Sequence, residues 1–478
     1  MSLMWLVIAL VVVLISKWWY RWSNPKCNGK LPPGSMGFPI IGETFKLHEP
    51  YGLCEISPFI KKRMLRYGPL FRTRIYGLKA VFSTDMDVNW KILQEENKSF
   101  VSSYEDTIAK TLGDNNMLVQ RGGFHKHIKQ ISLGFLGPEG LKRMIIGDMD
   151  RITKEHLISK ASQGSFDVQT AFSNLIVTVL TEKMISNLEA ETKKTLMDGI
   201  EAFNFDWCQI YFKLYFWKAL FKTFTGRRNA IRVIKDVCTR RQASREKHND
   251  FLDSLLEDSK KDGSLLSQES AENLIFFIMI AAHETTSKAI SLAFKFLAEN
   301  PKVLAELKRE HVAILESRED KESGISWEEY RHKMNFTSMV INEVLRFSNV
   351  APVLLRKALK DVEIKGYTIP AGWTVAVVPP MAHFDPTVYE NPLEFDPWRW
   401  EGKDTRSGSK TFMAFGGGMR QCVGAEFARL QMSIYLHYLV TRYDISVVQN
   451  CEVLRLPGIF LPNGLRIRLI PLIPNKKI

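Results

Sequence analysis

Apolar positions recur every three to four residues through the middle of the 478-residue chain, which predicts helices from about residue 135 to 345. The longest predicted helix runs from Ser267, a good N-cap residue, to Asn300, where the following Pro301 stops it. Its centre, residues 274–280, is apolar on every face, as in a helix that is buried all round. The spacing therefore predicts a mostly α protein.

Alternating positions on either side of this helical region predict strands. Residues 71–82 alternate around Gly77, which is typical of a hairpin. Residues 362–370 and 373–378 predict a second hairpin, and the tail at 465–470 predicts another. The expected fold class is therefore mostly α with a small β lobe.

The N-terminal residues form a continuous apolar segment. Residues 1–16 carry no charged side chain, and the basic and aromatic residues 17–22 follow. A membrane anchor is favoured over a cleaved signal peptide, because the positive charges come after the apolar run and no cleavage pattern is present. We predict a transmembrane anchor at 1–22, a basic, proline-rich hinge at 23–42 and one large domain at 43–478, since no linker or repeat divides the remainder.

Charge and cysteine usage exclude several classes of protein. The six cysteines are widely spaced without a C-x-x-C pair, which argues against a disulfide framework and a zinc site. The net charge of +13 fits attraction to anionic lipid, or a cationic face for an acidic protein partner around Lys126, Lys129, Lys410 and Arg429. No zinc finger, stacking motif or basic helix is present, so no nucleic-acid partner is expected.

One cysteine has the surroundings of a metal-ligating thiolate. Cys422 ends the pattern F-x-x-G-x-R-x-C, and a glycine-rich turn can direct backbone N–H groups at its sulfur. Gly418 permits the turn, and Phe415 can shield the sulfur from water. Arg420 suits a carboxylate partner, and Gly424 leaves room for a following helix. A structural buried cysteine is the alternative, but the five spaced matches favour ligation of iron.

Two further groups of polar residues lie in helical segments. Glu284 and Thr285 follow the apolar centre of the long helix, either as a satisfied ion pair and a back-bonded hydroxyl, or as a proton-handling pair. Glu343 and Arg346 are three residues apart on a second helix, which is an ordinary ion-pair spacing. Arg399 offers a second arginine for the same carboxylate, which is the arrangement that a buried ion pair requires.

These motifs together, in this order, resemble the cytochrome P-450 superfamily from about residue 30 to the C-terminus. The resemblance implies the cytochrome P-450 fold and a haem b whose iron is ligated by Cys422. It implies a monooxygenase that uses O2 and takes electrons from NADPH through a reductase. Thr285 would then open the helix and hydrogen-bond the oxygen, with Glu284 relaying protons, and the residues 343, 346 and 399 would brace the cysteine segment.

The resemblance also implies cofactor contacts and a substrate pocket. Arg356 matches a propionate-binding arginine, while His125 and Lys129 stand where tryptophan and arginine are typical, so propionate contacts are expected from all three. The positions that would line the pocket are nearly all apolar, which implies a large lipophilic substrate. They are Met117, Phe277, Ala281, Val350, Val353, Leu354, Ile459 and Phe460.

Within the superfamily, the motif details are most similar to plant enzymes that oxidise triterpenes, brassinosteroids and gibberellins. We expect a triterpene hydroxylase of the thalianol-oxidising kind, with a sterol or hormone hydroxylase as the alternative and a non-catalytic binding protein as a remote one. Microsomal members imply a single-pass protein of the endoplasmic reticulum with a cytosolic catalytic domain and a monomeric catalytic unit. The aromatic residues 203–221 either contact the membrane or pack in the core.

Overall fold

A computed structural model describes residues 2–39, 41–104, 111–113, 116–203, 217–244, 247–405 and 408–472. Helices make up most of this part of the chain. They are α1 Ser2–Ser23, α2 Thr44–Leu47, α3 Pro58–Tyr67, α4 Met86–Gln94, α5 Gly122–Leu136, α6 Pro138–Gly140, α7 Ile146–Ser162, α8 Val168–Met184, α9 Ala190–Ala202, α10 Trp217–Ser244, α11 Phe251–Ser259, α12 Gln268–Glu299, α13 Pro301–Glu316, α14 Trp327–His332, α15 Asn335–Ser348, α16 Pro380–His383 and α17 Ala425–Arg442. Single turns of other helix types lie at Leu141–Ile145, Pro397–Trp400 and Gly418–Arg420.

The strands are short and gather into four sheets. They are β1 Tyr51–Gly52, β2 Leu70–Ile75, β3 Leu78–Ser83, β4 Phe100–Ser102, β5 Ser165–Asp167, β6 Leu354–Ala358, β7 Val362–Ile364, β8 Tyr367–Ile369, β9 Thr374–Val377, β10 Tyr443–Gln449, β11 Leu454–Leu456, β12 Gly458–Phe460 and β13 Arg466–Pro471. Among these residues the strand orders are β2-β3-β9-β6-β4, β10-β13-β5, β1-β11-β12 and β7-β8. The mostly α fold with a small β lobe is confirmed.

The hairpin predicted at residues 71–82 is confirmed, and the two other hairpins need correction. Strands β2 and β3 pair antiparallel around Gly77, which takes a positive φ of 79°. Strand β7 pairs with β8, but β9 pairs parallel with β3 and antiparallel with β6. The tail strand β13 pairs with β10 and β5. Alternation shows that a segment is extended, but it does not identify its partner.

The long helix predicted between Ser267 and Asn300 is also confirmed. Helix α12 has 32 residues, so it extends roughly 48 Å at 1.5 Å per residue. The Ser267 side chain caps it by accepting a hydrogen bond from the Ser270 N–H at 3.1 Å. Most of its side chains are buried in the main core, where Leu292 packs in the same cluster as Leu175 of α8 and Leu436 of α17.

The N-terminal helix α1 is the one candidate membrane-spanning helix in the described part of the chain. Its span from Met4 to Ser23 is apolar, and none of it is buried against the rest of the protein. Trp22 nevertheless touches the β lobe, because its indole N–H donates to the Gly37 carbonyl at 3.3 Å and the Arg74 guanidinium lies 4.2 Å from its ring centre. The anchor therefore ends against the sheet that contains β2.

Candidate active site

The segment before α17 forms a tight loop around Cys422. The Cys422 N–H donates to the Phe415 carbonyl at 3.0 Å, which closes the loop. Gly418 has a φ of 64°, and a Cβ added to it would lie 2.2 Å from the Leu93 carbonyl oxygen of α4. Only glycine therefore fits at this turn. Gly424 differs from the expectation, because the nearest described atom to its virtual Cβ is Cys422 Sγ at 4.0 Å, so helix packing does not require glycine there.

The side chain of Cys422 is accessible. The atoms of the protein around it nevertheless desolvate the sulfur, and this desolvation raises the pKa of the thiol. A hydrogen bond from the Gly424 backbone and the charge of Lys129 act in the opposite direction. A sulfur that is open on one side, near a cation and a backbone donor, is suited to ligating a metal ion that stabilises the thiolate.

A group of cations lies beside this loop. Lys129 on α5 donates to the carbonyls of Met419 and Gln421 at 2.7 and 3.2 Å. His125 lies one helical turn earlier and is buried, and burial together with the charges of Arg420, Lys129 and Arg356 lowers its pKa to about 4. Lys129, His125, Arg420 and Arg356 therefore lie close enough for their charges to act on one another.

Arg420 and Arg356 share a buried carboxylate that the sequence analysis did not single out. Arg420 Nε donates to Glu96 Oε1 at 2.8 Å, and Arg356 Nε lies 3.3 Å from Glu96 Oε2. Arg420 also donates to the carbonyls of Met117 and Gln120. No motif marks Glu96 in the sequence, since a single acidic residue after a helix is ordinary.

The residues present fit a haem. Cys422 supplies the thiolate for the iron, and Arg356, Arg420 and Lys129 supply three positive charges for carboxylates. His125 Nδ1 is buried and has no hydrogen-bond partner among the described residues, which an acidic group of a cofactor would provide. The roles of these side chains toward haem remain predictions.

Glu343, Arg346 and Arg399 come together as predicted. Both oxygens of Glu343 accept hydrogen bonds from Arg346, at 2.8 and 2.9 Å, and Arg399 Nε donates to Oε1 at 3.0 Å. The structure adds the Trp400 indole N–H and the Asp396 N–H as further donors to the same carboxylate. Because both oxygens accept hydrogen bonds, the cost of burying this carboxylate completely is offset.

Hydrogen bonds through His383 connect this cluster to the cysteine loop. Arg346 also donates to the carbonyl of His383, and the His383 ring accepts a hydrogen bond from the Met413 N–H at 3.0 Å. Met413 lies two residues before Phe415. Sequence reasoning did not find His383, since it belongs to no motif.

Helix α12 carries the predicted acid and alcohol, but it is not opened at Thr285. The helix continues through this point, and the Thr285 hydroxyl donates to the Ala281 carbonyl at 2.7 Å. Glu284 pairs with Lys288 at 2.9 Å and is partly accessible. The structure therefore has the arrangement of an ion pair and a back-bonded hydroxyl, because a threonine hydroxyl inside a continuous helix readily bonds the carbonyl four residues earlier.

Thr285 is exposed although both following residues are buried. Phe277 and Ala281 precede it at four-residue intervals on the same face of the helix, and both are half-buried. This face is therefore less closely packed than the rest of α12. The other residues predicted to line a pocket range from buried Met117 and Ile459, through half-buried Val350, Val353 and Leu354, to exposed Phe460.

Two expectations about surfaces have different outcomes. Arg429 is buried and donates to Asn342 Oδ1 at 2.6 Å, so it cannot belong to a cationic surface, whereas Lys126 and Lys410 are exposed.

Of the proposed membrane segment 203–221, residues 204–216 lie outside the described part of the chain. Its ends differ, since Phe203 is buried against Phe276 and Phe221 is exposed.

The fold and the cysteine loop define a haem-thiolate protein. A family model described as Cytochrome P450 matches residues 32–466. The chain belongs to the Cytochrome P450 family. Membership implies an oxidoreductase that binds haem iron through a cysteine thiolate and uses O2 with NADPH-derived electrons from a reductase.

Plant relatives cover nearly the whole chain. Cytochrome P450 708A2 of Arabidopsis thaliana is 60% identical over 463 residues, which are 97% of each chain. A β-amyrin 16-α-hydroxylase of Maesa lanceolata is 35% identical and covers 98% of this chain and 99% of its own. A cholesterol 22-monohydroxylase of Paris polyphylla is 33% identical and covers 97% of this chain and 98% of its own.

A solved structure supports the fold. The retinoic acid-bound cyanobacterial CYP120A1 superposes with a TM-score of 0.79, covering 93% of this chain and all of that one. Its sequence identity of 24% means that the match concerns the fold alone.

Proposed function

We propose that this enzyme is a membrane-anchored triterpene hydroxylase. The observation that carries the proposal is the open face of α12, where Phe277, Ala281 and Thr285 succeed one another at helical spacing. An apolar wall that ends at a hydroxyl group suits a large lipophilic molecule with its reacting carbon beside Thr285. The proposal requires that Cys422 and Thr285 would both lie beside the bound haem.

The relatives support a terpenoid substrate. β-Amyrin is a triterpene, and the hydroxylase named for it matches this chain over nearly its full length. A sterol is the second candidate, because the cholesterol 22-monohydroxylase matches at 33% identity, close to the 35% of the β-amyrin enzyme. Both molecules are large, fused-ring and mainly apolar, so the apolar pocket positions suit either.

The protein's own residues would bind the haem, orient the substrate and supply protons. When bound, the haem supplies activation of O2 and transfer of one oxygen atom to a C–H bond. Cys422 would hold the iron, and Arg356, Arg420, Lys129 and His125 would hold the acidic side chains of the haem. Phe415 would exclude water from the sulfur, and the positive φ of Gly418 keeps the loop tight enough for that shielding.

Thr285 and Glu284 would handle protons where O2 is activated. The Thr285 hydroxyl is accessible and can exchange its bond to the Ala281 carbonyl for one to oxygen or water. Glu284 is partly accessible and paired with Lys288, so its carboxylate lies where it would relay protons between solvent and the neighbouring Thr285 hydroxyl. These two roles rest on the accessible position of both side chains.

We place the enzyme on the endoplasmic reticulum as a single-pass protein with a cytosolic catalytic domain. The apolar helix α1 and the positive charges after it support this orientation. The electron donor would be an NADPH-cytochrome reductase that docks through acidic groups near exposed cations such as Lys126. One chain contains all the proposed site residues, so we propose a monomeric catalytic unit.

The test is turnover in a sterol-producing host that also expresses a plant reductase. Cyclised triterpenes, brassinosteroid precursors and gibberellin precursors are supplied, with Cys422→Ser as the matched control. A hydroxylated triterpene that is absent from the control supports the proposal. Products from hormone precursors alone would overturn the triterpene assignment and retain the monooxygenase. If the wild-type protein shows no thiolate-type carbon monoxide spectrum, the proposed haem site itself is overturned.

A further inference from the structure

Glu96 occupies an unusual position between the cofactor-binding arginines. It lies just after α4, and its side chain is fully buried. Its Oε1 accepts hydrogen bonds from Arg420 Nε at 2.8 Å and from the Ser102 N–H at 3.1 Å. Its Oε2 lies 3.3 Å from Arg356 Nε. One carboxylate therefore joins the cysteine loop, strand β4 and strand β6.

The pairing of β4 with β6 sets this geometry. Ser102 lies opposite Arg356 in the antiparallel register, so the backbone donor and the arginine reach Glu96 from adjacent strands. Arg420 reaches it from the 3₁₀ turn before Cys422. Arginine side chains are long and lose much rotamer freedom when ordered, so a fixed carboxylate between them holds both in one arrangement.

Positive side chains outnumber negative ones among the described residues of this site. Arg356, Arg420 and Lys129 carry three positive charges, and His125 is neutral near pH 7 because its pKa is lowered to about 4. Among the described residues, Glu96 is the carboxylate in ion-pair contact with these cations. Glu96 and the two acidic side chains of a haem give three negative charges, which match the three positive charges.

We propose that Glu96 is a positioning residue that holds Arg356 and Arg420 for the haem carboxylates and lowers the reduction potential of the iron. This inference rests on the proposed haem-binding function. A fixed negative charge near the cofactor stabilises the oxidised iron, which carries one more positive charge than the reduced iron. Removing that charge therefore makes reduction easier and shifts the potential to a less negative value.

The experiment compares the full-length, detergent-purified holoenzyme with Glu96→Gln and Glu96→Asp. Glutamine keeps the size but removes the charge, and aspartate keeps the charge on a side chain one methylene shorter. The matched control is Glu43→Gln, because Glu43 is also buried and paired, with Arg63 and Thr73 in the β lobe. The measurements are the reduction potential by spectroelectrochemical titration and the rate of haem transfer to apomyoglobin.

We expect Glu96→Gln to shift the potential to a less negative value and to speed haem transfer by at least tenfold. Glu96→Asp should keep a potential near the wild-type value while haem transfer becomes faster, and Glu43→Gln should change neither quantity. If Glu96→Gln does not accumulate, the Glu96→Asp result decides, and wild-type haem transfer in that variant overturns the proposal. An unchanged potential in Glu96→Gln also overturns it.

Failure of the proposed function has a different signature. A wild-type chain that shows no thiolate-type carbon monoxide spectrum would overturn the haem site, and with it this role of Glu96. A wild-type chain with that spectrum, together with variants that match it in potential and haem transfer, would overturn the role of Glu96 alone.

Discussion

The Trp400 indole N–H donates to Glu343 Oε2 at 2.8 Å, deep in the same cluster that holds Arg346 and Arg399. This bond ties the 3₁₀ turn at residues 397–400 to α15, which carries Glu343 and Arg346. Because Arg346 also reaches the His383 carbonyl, the cluster connects α15 to the residues that contact the cysteine loop. Glu343 therefore helps to hold the cysteine loop in place.

We expect Glu343→Ala to yield protein without haem. Removing one partner of a buried ion pair costs about 3–5 kcal/mol, because it leaves the buried charges of both arginines without a carboxylate and the Trp400 N–H without its acceptor. Trp400→Phe is the graded comparison, since it removes one hydrogen bond to a charged group, worth about 1.5–3 kcal/mol, and leaves the ion pairs. The measurements are haem content and thermal midpoint. Full haem occupancy in Glu343→Ala would refute the structural role.

The two glycines of the cysteine loop should respond differently to alanine. At Gly418, alanine requires a left-handed conformation that costs about 1–2 kcal/mol and also meets the Leu93 carbonyl at 2.2 Å. At Gly424, φ is −90° and the nearest described atom lies 4.0 Å away. We expect Gly418→Ala to lower the thermal midpoint and haem content, and Gly424→Ala to fold with a near-normal midpoint. Equal effects in both variants would contradict the loop geometry.

We expect Thr285 to determine how much hydroxylated product forms per NADPH oxidised. Thr285→Ala removes the accessible hydroxyl, and loss of a proton-handling group typically costs about 10²-fold in rate. NADPH consumption should continue while hydroxylated product falls, and Thr285→Ser should restore the product. Thr286→Ala serves as the control, because Thr286 is adjacent and buried. The measurement is product formed per NADPH oxidised, and a normal ratio in Thr285→Ala would exclude the proposed role.

Local features of the fold could be predicted from the sequence, whereas long-range pairings could not. Ser267, Asn300 and Gly77 mark chain boundaries through their own conformational preferences, and the structure places them at those boundaries. One partner of β9 is β3, nearly three hundred residues earlier, and no local preference selects it. The hydrophobic pattern specifies which face of a strand is buried, but many strands offer equivalent faces.

In the candidate site, too, local motifs could be predicted from the sequence and long-range contacts could not. Spaced motifs found Cys422 and the pair of arginines around Glu343, because each motif contains several chemically matched residues. Glu96 and His383 were missed, since each is a single residue whose partners come from distant parts of the chain. Their roles depend on the folded arrangement, where Glu96 meets Arg420 across more than three hundred residues.

His383 should make stability depend on pH. Its Nδ1 lies 2.5 Å from Asn349 Oδ1 and its Nε2 accepts from the Met413 N–H, so the neutral ring is required. Burial, with the charges of Arg346 and Arg455, lowers its pKa from 6.5 to about 3. Because the folded pKa is the lower one, the unfolded chain binds more protons below pH 6.5, and stability falls as pH decreases toward 3.

The expected loss is about 2 kcal/mol from His383 between pH 8 and pH 5, by linkage between protonation and unfolding. We expect the thermal midpoint of the detergent-solubilised wild type to decrease over this range, and His383→Gln to start lower but decrease less. His332→Gln is the control, since His332 is exposed and should follow the wild type. Parallel pH curves for wild type and His383→Gln would show that another group carries the dependence.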